Sequence, residues 1–447
     1  MAKKKSSGRR PVQSSVPSKV NSGLGASANV EELLLAALAA GGETLETGRF
    51  LVTFKEGAAS ESMKAFSGKG MRVANAMEFS NQAVDLAAVG DADAVVFPEI
   101  GVALLGGDSA HARGMTSASE LASDSPFETI EPEYFVFSDA SSLGASAYLQ
   151  GFLRAAETIA KDLGSQDFKD AEDEADVLAL GATWGLVACK VPSSSRSGGG
   201  IKVAVLDTGF DLGHPDFAGR VPVPQTATFV GQPVQDLHGH GTHCIGTACG
   251  PFSPPGSTPR YGIAFRASIF VGKVLGNSGS SVGASVLNGM NWAIANRCQV
   301  ISMSLGSQSG VQAAYTSAGQ SALNNGLLII AAAGNAASQT GAPANSPTIM
   351  SVASLDRNLR PSSFSNFGKI EIAAPGRDIF SSVPRPTRYG TKSGTSMATP
   401  HVAGCAALWA ESSPSLRGVA LWNKLRATAK PLPFPQTSVG AGLVQAP

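Results

Sequence analysis

The chain has 447 residues, too many for one ordinary core, so two or three folded units are expected. Its 34 basic residues balance 34 acidic ones, and a formal net charge of zero leaves no electrostatic footprint for nucleic acid or an anionic membrane surface. Apolar residues at 43% with 51 glycines fit a compact, loop-rich globular enzyme.

The first unit, residues 1–47, opens as MAKKKSSGRRPVQSS, a basic, Ser/Pro-rich tail expected to be disordered. The first apolar run, LLLAALAA (33–40), is short, distant from those charges and preceded by Glu31-Glu32. It reads as a short amphipathic helix rather than the core of a secretory leader. No stretch approaches the ~20 apolar residues of a membrane span. The expected location is cytoplasmic, or outside the cell by an atypical export route.

Residues 48–139 read as a small α+β unit. TGRFLVTFKEG (47–57) alternates like a strand and ends in a turn, and ASESMKAF follows at helical spacing. DAVVFPEIGVALL (93–105) and FETIEPEYFVFS (127–138) offer further strands. A linker, 140–180, carries Tyr148, Leu149, Phe152, Leu153, Ile159 and Leu163 at helical spacing, then an acidic stretch, DFKDAEDEADVLAL (167–180). From 181 onward, strand-length apolar runs at 268–275, 298–305, 327–333 and 348–354 alternate with helical patterns at 281–296, 311–325 and after Ser396. That alternation predicts an α/β fold, a parallel sheet with helices on both faces.

Four segments of this last unit carry chemistry. IKVAVLDTG (201–209) is a buried strand that delivers Asp207 at its C-terminal end, where open α/β sheets place catalytic groups. DLHGHGTHCIG (236–246) sets His240 at a helix start. GTSMATPHVAG (394–404) presents Ser396 at a helix N-terminus among small residues, with Pro400 expected in the first turn. A serine hydroxyl needs a base to take its proton, and a carboxylate to orient that base and stabilise the imidazolium. The fourth segment, LLIIAAAGN (327–335), ends in Asn335. Taken singly, Ser396 also reads as a helix cap, and Gly334-Asn335 as a strand-ending turn.

DTG, HGTH and GTSMATPHVAG, in this order, resemble the three motifs of the subtilisin-like serine proteases, over roughly residues 181–447. His243-Cys244 and Ala342-Pro343-Ala344-Asn345-Ser346-Pro347 resemble the proteinase K branch. The resemblance implies a serine endopeptidase with Ser396 as nucleophile, His240 as base, Asp207 as its orienting partner, and the Asn335 amide with the Ser396 N–H as oxyanion donors. It implies a cleft that takes protein or peptide substrate as an extra strand, with Gly279, Ser280 and Ser281 on one edge. Ser304, Leu305 and Gly306 form the other edge, and Ala332, Ala333 and Gly334 the pocket wall. It further implies that 48–139 is a ferredoxin-like prodomain that inhibits the enzyme until self-cleavage near Ser138, or, in the competing reading, near 165–182.

No cofactor or metal is expected. His240 and His243 form an HxxH pair without the glutamate of HExxH, which speaks against zinc. Asp216 matches a family calcium-ligand position, but the loop that would complete it, PFSPPGSTPRYG (251–262), has no Asp, Glu or Asn. Five cysteines (189, 244, 249, 298, 405), an odd number without CxxC spacing, leave at least one thiol free, and Cys244 reads as a small packed residue. Two rival functions share these residues: a transpeptidase, in which an amine opens the acyl-enzyme, and a pseudoprotease used for binding.

Overall fold

The computed structural model describes residues 25–39, 45–117, 124–138 and 181–447. The predicted helix at 146–163 and the acidic stretch at 167–180 lie outside the described residues, as does the opening basic tail.

The N-terminal module begins with α1 (Val30–Ala39). A reciprocal capping pair starts this helix: Glu32 N–H donates to Asn29 Oδ1 at 2.9 Å, and Asn29 N–H to Glu32 Oε2 at 3.0 Å. β1 (Glu46–Phe54), α2 (Ala59–Gly68), β2 (Val73–Asn75), β3 (Ala94–Phe97), β4 (Val102–Leu105), α3 (Gly107–Ala112) and β5 (Phe127–Phe137) follow. The boundary read at 47/48 thus falls inside β1. The apolar run 93–105 forms two strands, because Pro98 cannot donate to a ladder and Gly101 turns the chain at φ 64°. One face of this sheet packs Phe54 and Phe127 against Phe66 of α2 and Ala110 of α3.

The second unit contributes α4 (Trp184–Ala188), β6 (Lys202–Asp207), β7 (Thr226–Thr228), α5 (His240–Cys249), β8 (Ser268–Lys273), β9 (Ser280–Val282) and α6 (Gly283–Ala295). β10 (Val300–Met303), α7 (Ala313–Asn324), β11 (Leu328–Ala332), β12 (Met350–Leu355), β13 (Ile372–Pro375), β14 (Ile379–Ser382), β15 (Tyr389–Lys392), α8 (Thr395–Ser412) and α9 (Gly418–Thr428) complete it. Seven parallel strands run in the order β13-β12-β11-β10-β6-β8-β7. Along β6, Val203 and Val205 join the core with Ile245 of α5 and Val402 of α8, while Ala204 and Leu206 join Leu287 of α6 and Ala318 of α7. Helices therefore cover both faces, as the alternating pattern predicts.

The N-terminal module lies on α6 and α7. Its strand order, β2-β3-β4-β1-β5, continues into β9, so β5 bridges the two units. Two buried or half-buried carboxylates of β5 accept amides at helix starts, where unpaired N–H groups and the helix dipole favour negative charge. Glu131 accepts from Ala313 N at 3.0 Å and Ala314 N at 2.8 Å, and Glu133 Oε1 accepts from Ala284 N at 2.8 Å. Burial pushes the Glu131 pKa up against those two stabilising bonds. Glu133 is also paired with Arg49 at 2.7 Å, both side chains at 0% exposure, and Arg49 Nη1 ties in the N-terminal segment through Ala26 O at 3.0 Å.

Arg49→Met should leave Glu133 buried without its cation and destabilise the module by about 3–5 kcal/mol. Adding Glu133→Gln should recover part of that loss. Denaturant midpoints of the uncleaved chain check this, and an unchanged midpoint for Arg49→Met would contradict it.

Candidate active site

The apolar residues of β6 carry Asp207 to the C-terminal edge of the sheet, where it is 1% exposed. His240 opens α5 and Ser396 is the second residue of α8, so all three motifs meet at this edge. His240 Nδ1 donates to Asp207 Oδ1 at 2.7 Å, and Thr208 N–H donates to the same oxygen at 2.7 Å. Burial disfavours the charged imidazole, but the Asp207 carboxylate outweighs it and holds the His240 pKa well above its ordinary value.

Asp236, which the sequence reading missed, fixes the start of α5. Its Oδ1 accepts from Thr208 Oγ1 (3.0 Å), His238 N (3.0 Å) and Gly239 N (2.8 Å); its Oδ2 accepts from Thr242 N (2.9 Å) and Thr242 Oγ1 (2.7 Å). Thr208 Oγ1 in turn accepts from Gly241 N at 2.8 Å. The available signal is an Asp just ahead of a helix start, displaced from the capping position by Gly239 at φ 89°.

Pro400 is not in the first turn. It is the sixth residue of α8, inside the helix. Lacking an N–H, it leaves the Ser396 carbonyl without its helical donor. Ser304 Oγ (2.7 Å) and the Cys244 thiol (3.5 Å) donate there instead, which anchors the serine to β10 and α5. Ser304 thus supports Ser396 from below.

Asn335 follows β11. Its Oδ1 accepts from Thr395 N at 2.8 Å and Thr395 Oγ1 at 2.9 Å, while Thr395 Oγ1 accepts from Gly334 N at 3.1 Å. With the acceptor end of the amide engaged, its NH₂ remains to donate into the small pocket that Asn335 shares with Ser138 and Ser396. Leu305, Gly306, Ala332, Ala333 and Gly334 line the same pocket.

The cleft edges hold β5. Phe135, Val136 and Phe137 pair antiparallel with Val282, Ser281 and Ser280. On the other side, Phe137 N donates to Gly306 O at 2.9 Å and Gly306 N to Phe137 O at 3.0 Å. Ser138 N donates to Gly279 O at 2.8 Å, and Ser396 Oγ donates to the Ser138 carbonyl at 3.1 Å. Glycine is required at 279 by φ 76° and because a Cβ there would stand 2.7 Å from both His238 Nε2 and Ser138 Oγ. One peptide carbonyl, that of Ser138, thus meets Ser396 Oγ in a pocket that the Asn335 amide also lines.

His243 and His401 are packing groups. His243 Nε2 bonds Ile379 O at 2.8 Å and His401 Nδ1 bonds Met397 O at 2.9 Å; burial lowers their pKa values to about 3 and about 4. Among the described residues, donor atoms of Asp207, His240 and Cys244 lie within 4.8 Å of one another, but Asp207 and His240 already bond each other. Burial raises the Cys244 pKa, and all five cysteines are free and buried. Asp216 does not suit calcium: Tyr261 OH donates to Oδ2 at 2.5 Å, and Tyr389 OH to Oδ1 at 2.9 Å and Oδ2 at 3.1 Å. Both carboxylate oxygens face hydroxyl hydrogens where calcium would need shared oxygen lone pairs. No helix among the described residues is long and apolar enough to cross a membrane.

Residues 198–442 match the profile of the Subtilase family. The chain is 39% identical over 284 residues to an alkaline protease of Alkalihalobacillus alcalophilus, covering 62% of this chain and 72% of that protein. It is 40% identical over 275 residues to Subtilisin Savinase of Lederbergia lenta, covering 60% and 98%. The crystal structure of a cold adapted subtilisin-like serine proteinase superposes with a TM-score of 0.52 at 32% identity, covering 60% of this chain and 98% of that one.

A chelator should leave the thermal midpoint unchanged, because a metal bound only to the native state would otherwise have raised it. Tyr261→Phe with Tyr389→Phe should lower stability by about 1.5–3 kcal/mol per hydroxyl lost to the carboxylate. Melting curves with and without EDTA check both; a large fall in EDTA would expose a bound cation.

Proposed function

The chain belongs to the subtilase family and is a subtilisin-like serine endopeptidase; from that premise we propose that Ser396, His240, Asp207 and Asn335 carry its chemistry and that the N-terminal module is its own inhibitory prodomain. The observation that carries this reading is the Ser138 carbonyl, held 3.1 Å from Ser396 Oγ by strand pairing on both sides.

In this mechanism Ser396 Oγ attacks a substrate carbonyl seated as Ser138 is, and His240 Nε2 takes the hydroxyl proton. Asp207 keeps Nδ1 protonated and stabilises the imidazolium. The developing oxyanion receives hydrogen bonds from the Asn335 NH₂ and the Ser396 backbone N–H. His240 then gives its proton to the leaving amine, and water, deprotonated by the same imidazole, releases the acid.

Applied to its own chain, the mechanism cuts between Ser138 and Asp139. The segment ending at Ser138 then stays bound as a product, with Phe135 and Phe137 buried between Leu33 and Leu34 of α1 and Val282 of β9. The capping pairs of Glu131 and Glu133 favour that bound state. Small residues at the pocket wall, with no carboxylate among them, favour an uncharged residue before the scissile bond.

Ser396→Ala should abolish peptide hydrolysis without loss of fold, and replacing His240 and Asp207 as well should cost little more, since the three act as a unit. Asn335→Ala should lower kcat by roughly 10²–10³ with little change in KM. The base must be neutral, so activity should fall as pH drops through the raised His240 pKa. Asp207→Asn removes the cause of that rise, so the acid limb should move to lower pH while kcat falls by about 10⁴. Wild-type turnover in Ser396→Ala, or an acid limb unmoved in Asp207→Asn, would overturn these roles.

A further inference from the structure

Beyond Ser138 the cleft opens into a cavity of about 760 Å³ walled by Leu237, His238 and Gly239 on the histidine side and by Gly390, Thr391 and Lys392 of β15 on the other. Residues 135–137 fill the side between β9 and Gly306, so whatever follows a scissile bond at the Ser138 position must leave across this cavity. His238 marks the junction: it stands beside Gly279 and Ser138 and also lines the cavity.

Lys392 is held there firmly. Its backbone pairs with Ile379 in the β14-β15 hairpin, and β14 is bonded to the histidine helix by Ser381 Oγ to His243 O and Ser382 Oγ to Thr242 O, each at 3.0 Å. The half-buried ammonium makes no hydrogen bond or ion pair with any described residue. Its charge reaches the catalytic end of the cavity, where it adds to burial in lowering the His238 and His243 pKa values. Among the described residues, the other ionisable side chains on the wall are Arg357, Tyr389 and Asp378, and the Asp378 carboxylate is engaged by Ser393 Oγ at 3.3 Å. The chain's own residue at that place in sequence is acidic, Asp139.

We propose that Lys392 is a specificity-determining residue that makes the endopeptidase prefer an acidic residue immediately after the scissile bond. A carboxylate there would find an ammonium that no described residue bonds, in a cavity roomy enough to keep both partly hydrated. The inference rests on the endopeptidase reading above.

Internally quenched peptides of sequence Phe-Val-Phe-Ser followed by Asp, Asn or Lys test it on the self-processed protein. The Asp/Asn ratio of kcat/KM should be about two- to fivefold, the range of a partly exposed ion pair, and should shrink at high salt. Lys392→Arg should keep the preference, Lys392→Gln should bring the ratio to one, and Lys392→Glu should reverse it in favour of Lys. A purely structural role would lower all three peptides together and leave the ratio in place. A ratio of one in the wild type, or the same ratio in Lys392→Gln, overturns the proposal while leaving the endopeptidase reading intact. Failure to cut any of the peptides, with Ser396 also inert to a fluorophosphonate, would instead strike at that reading and remove the inference with it.

Discussion

A 2.7 Å contact between two buried groups, His240 and Asp207, constrains much of what surrounds it. A carboxylate and an imidazole that alternates between neutral and charged cannot sit in an apolar core unless nearby dipoles are fixed in advance. Parallel β6 brings one, and the glycine-flanked start of α5 brings the other. Asp236 then binds the Thr208 hydroxyl and the first-turn amides in one network, so the turn after β6 and the start of α5 move as a unit. Lys273, fully buried, donates to Asn277 Oδ1 at 2.8 Å and to the carbonyl of Thr208, closing the other side of that turn.

The same economy governs the serine. Proline inside α8 removes a helical hydrogen bond at the residue where a fixed backbone matters most. The freed carbonyl is held by Ser304 and Cys244 from two other elements. The cysteine beside the histidine is therefore a backbone anchor, which accounts for a thiol in the active-site helix without giving it a share in the reaction. At the module interface, β5 uses Glu131 and Glu133 to complete helix starts in α6 and α7. Burying such carboxylates is costly alone; Arg49 offsets it within the module, and the helix-start amides add to that only when the two units are docked. This makes the docked state specific to one register of β5, the register that brings Ser138 to Ser396.

The three motifs of the proposed centre were legible in the sequence because their information is local. DTG, HGTH and GTSMATP each combine a functional side chain with the small residues that shape its own turn. Strand-length runs in the second unit were equally legible, being apolar on both faces as a parallel sheet requires. What escaped was contact between distant positions. Glu133 reads as a polar residue on an alternating strand, and nothing near it announces Ala284. Thr395 reads as part of a small-residue run, yet it orients Asn335 across 60 positions. Pro400 was misplaced because its tolerance in a first turn is a local rule, whereas its tolerance inside α8 depends on Ser304, 92 residues before Ser396.

N-terminal sequencing of the purified mature protein, beside the same chain carrying Ser396→Ala, tests the central claim most directly: that Ser396 acts on the carbonyl of Ser138. The account predicts a new N-terminus at Asp139 in the wild type, a segment ending at Ser138 that co-purifies, and an uncut chain in the variant. A wild-type chain that is active while still uncut, or a first cut within 165–182, would contradict it.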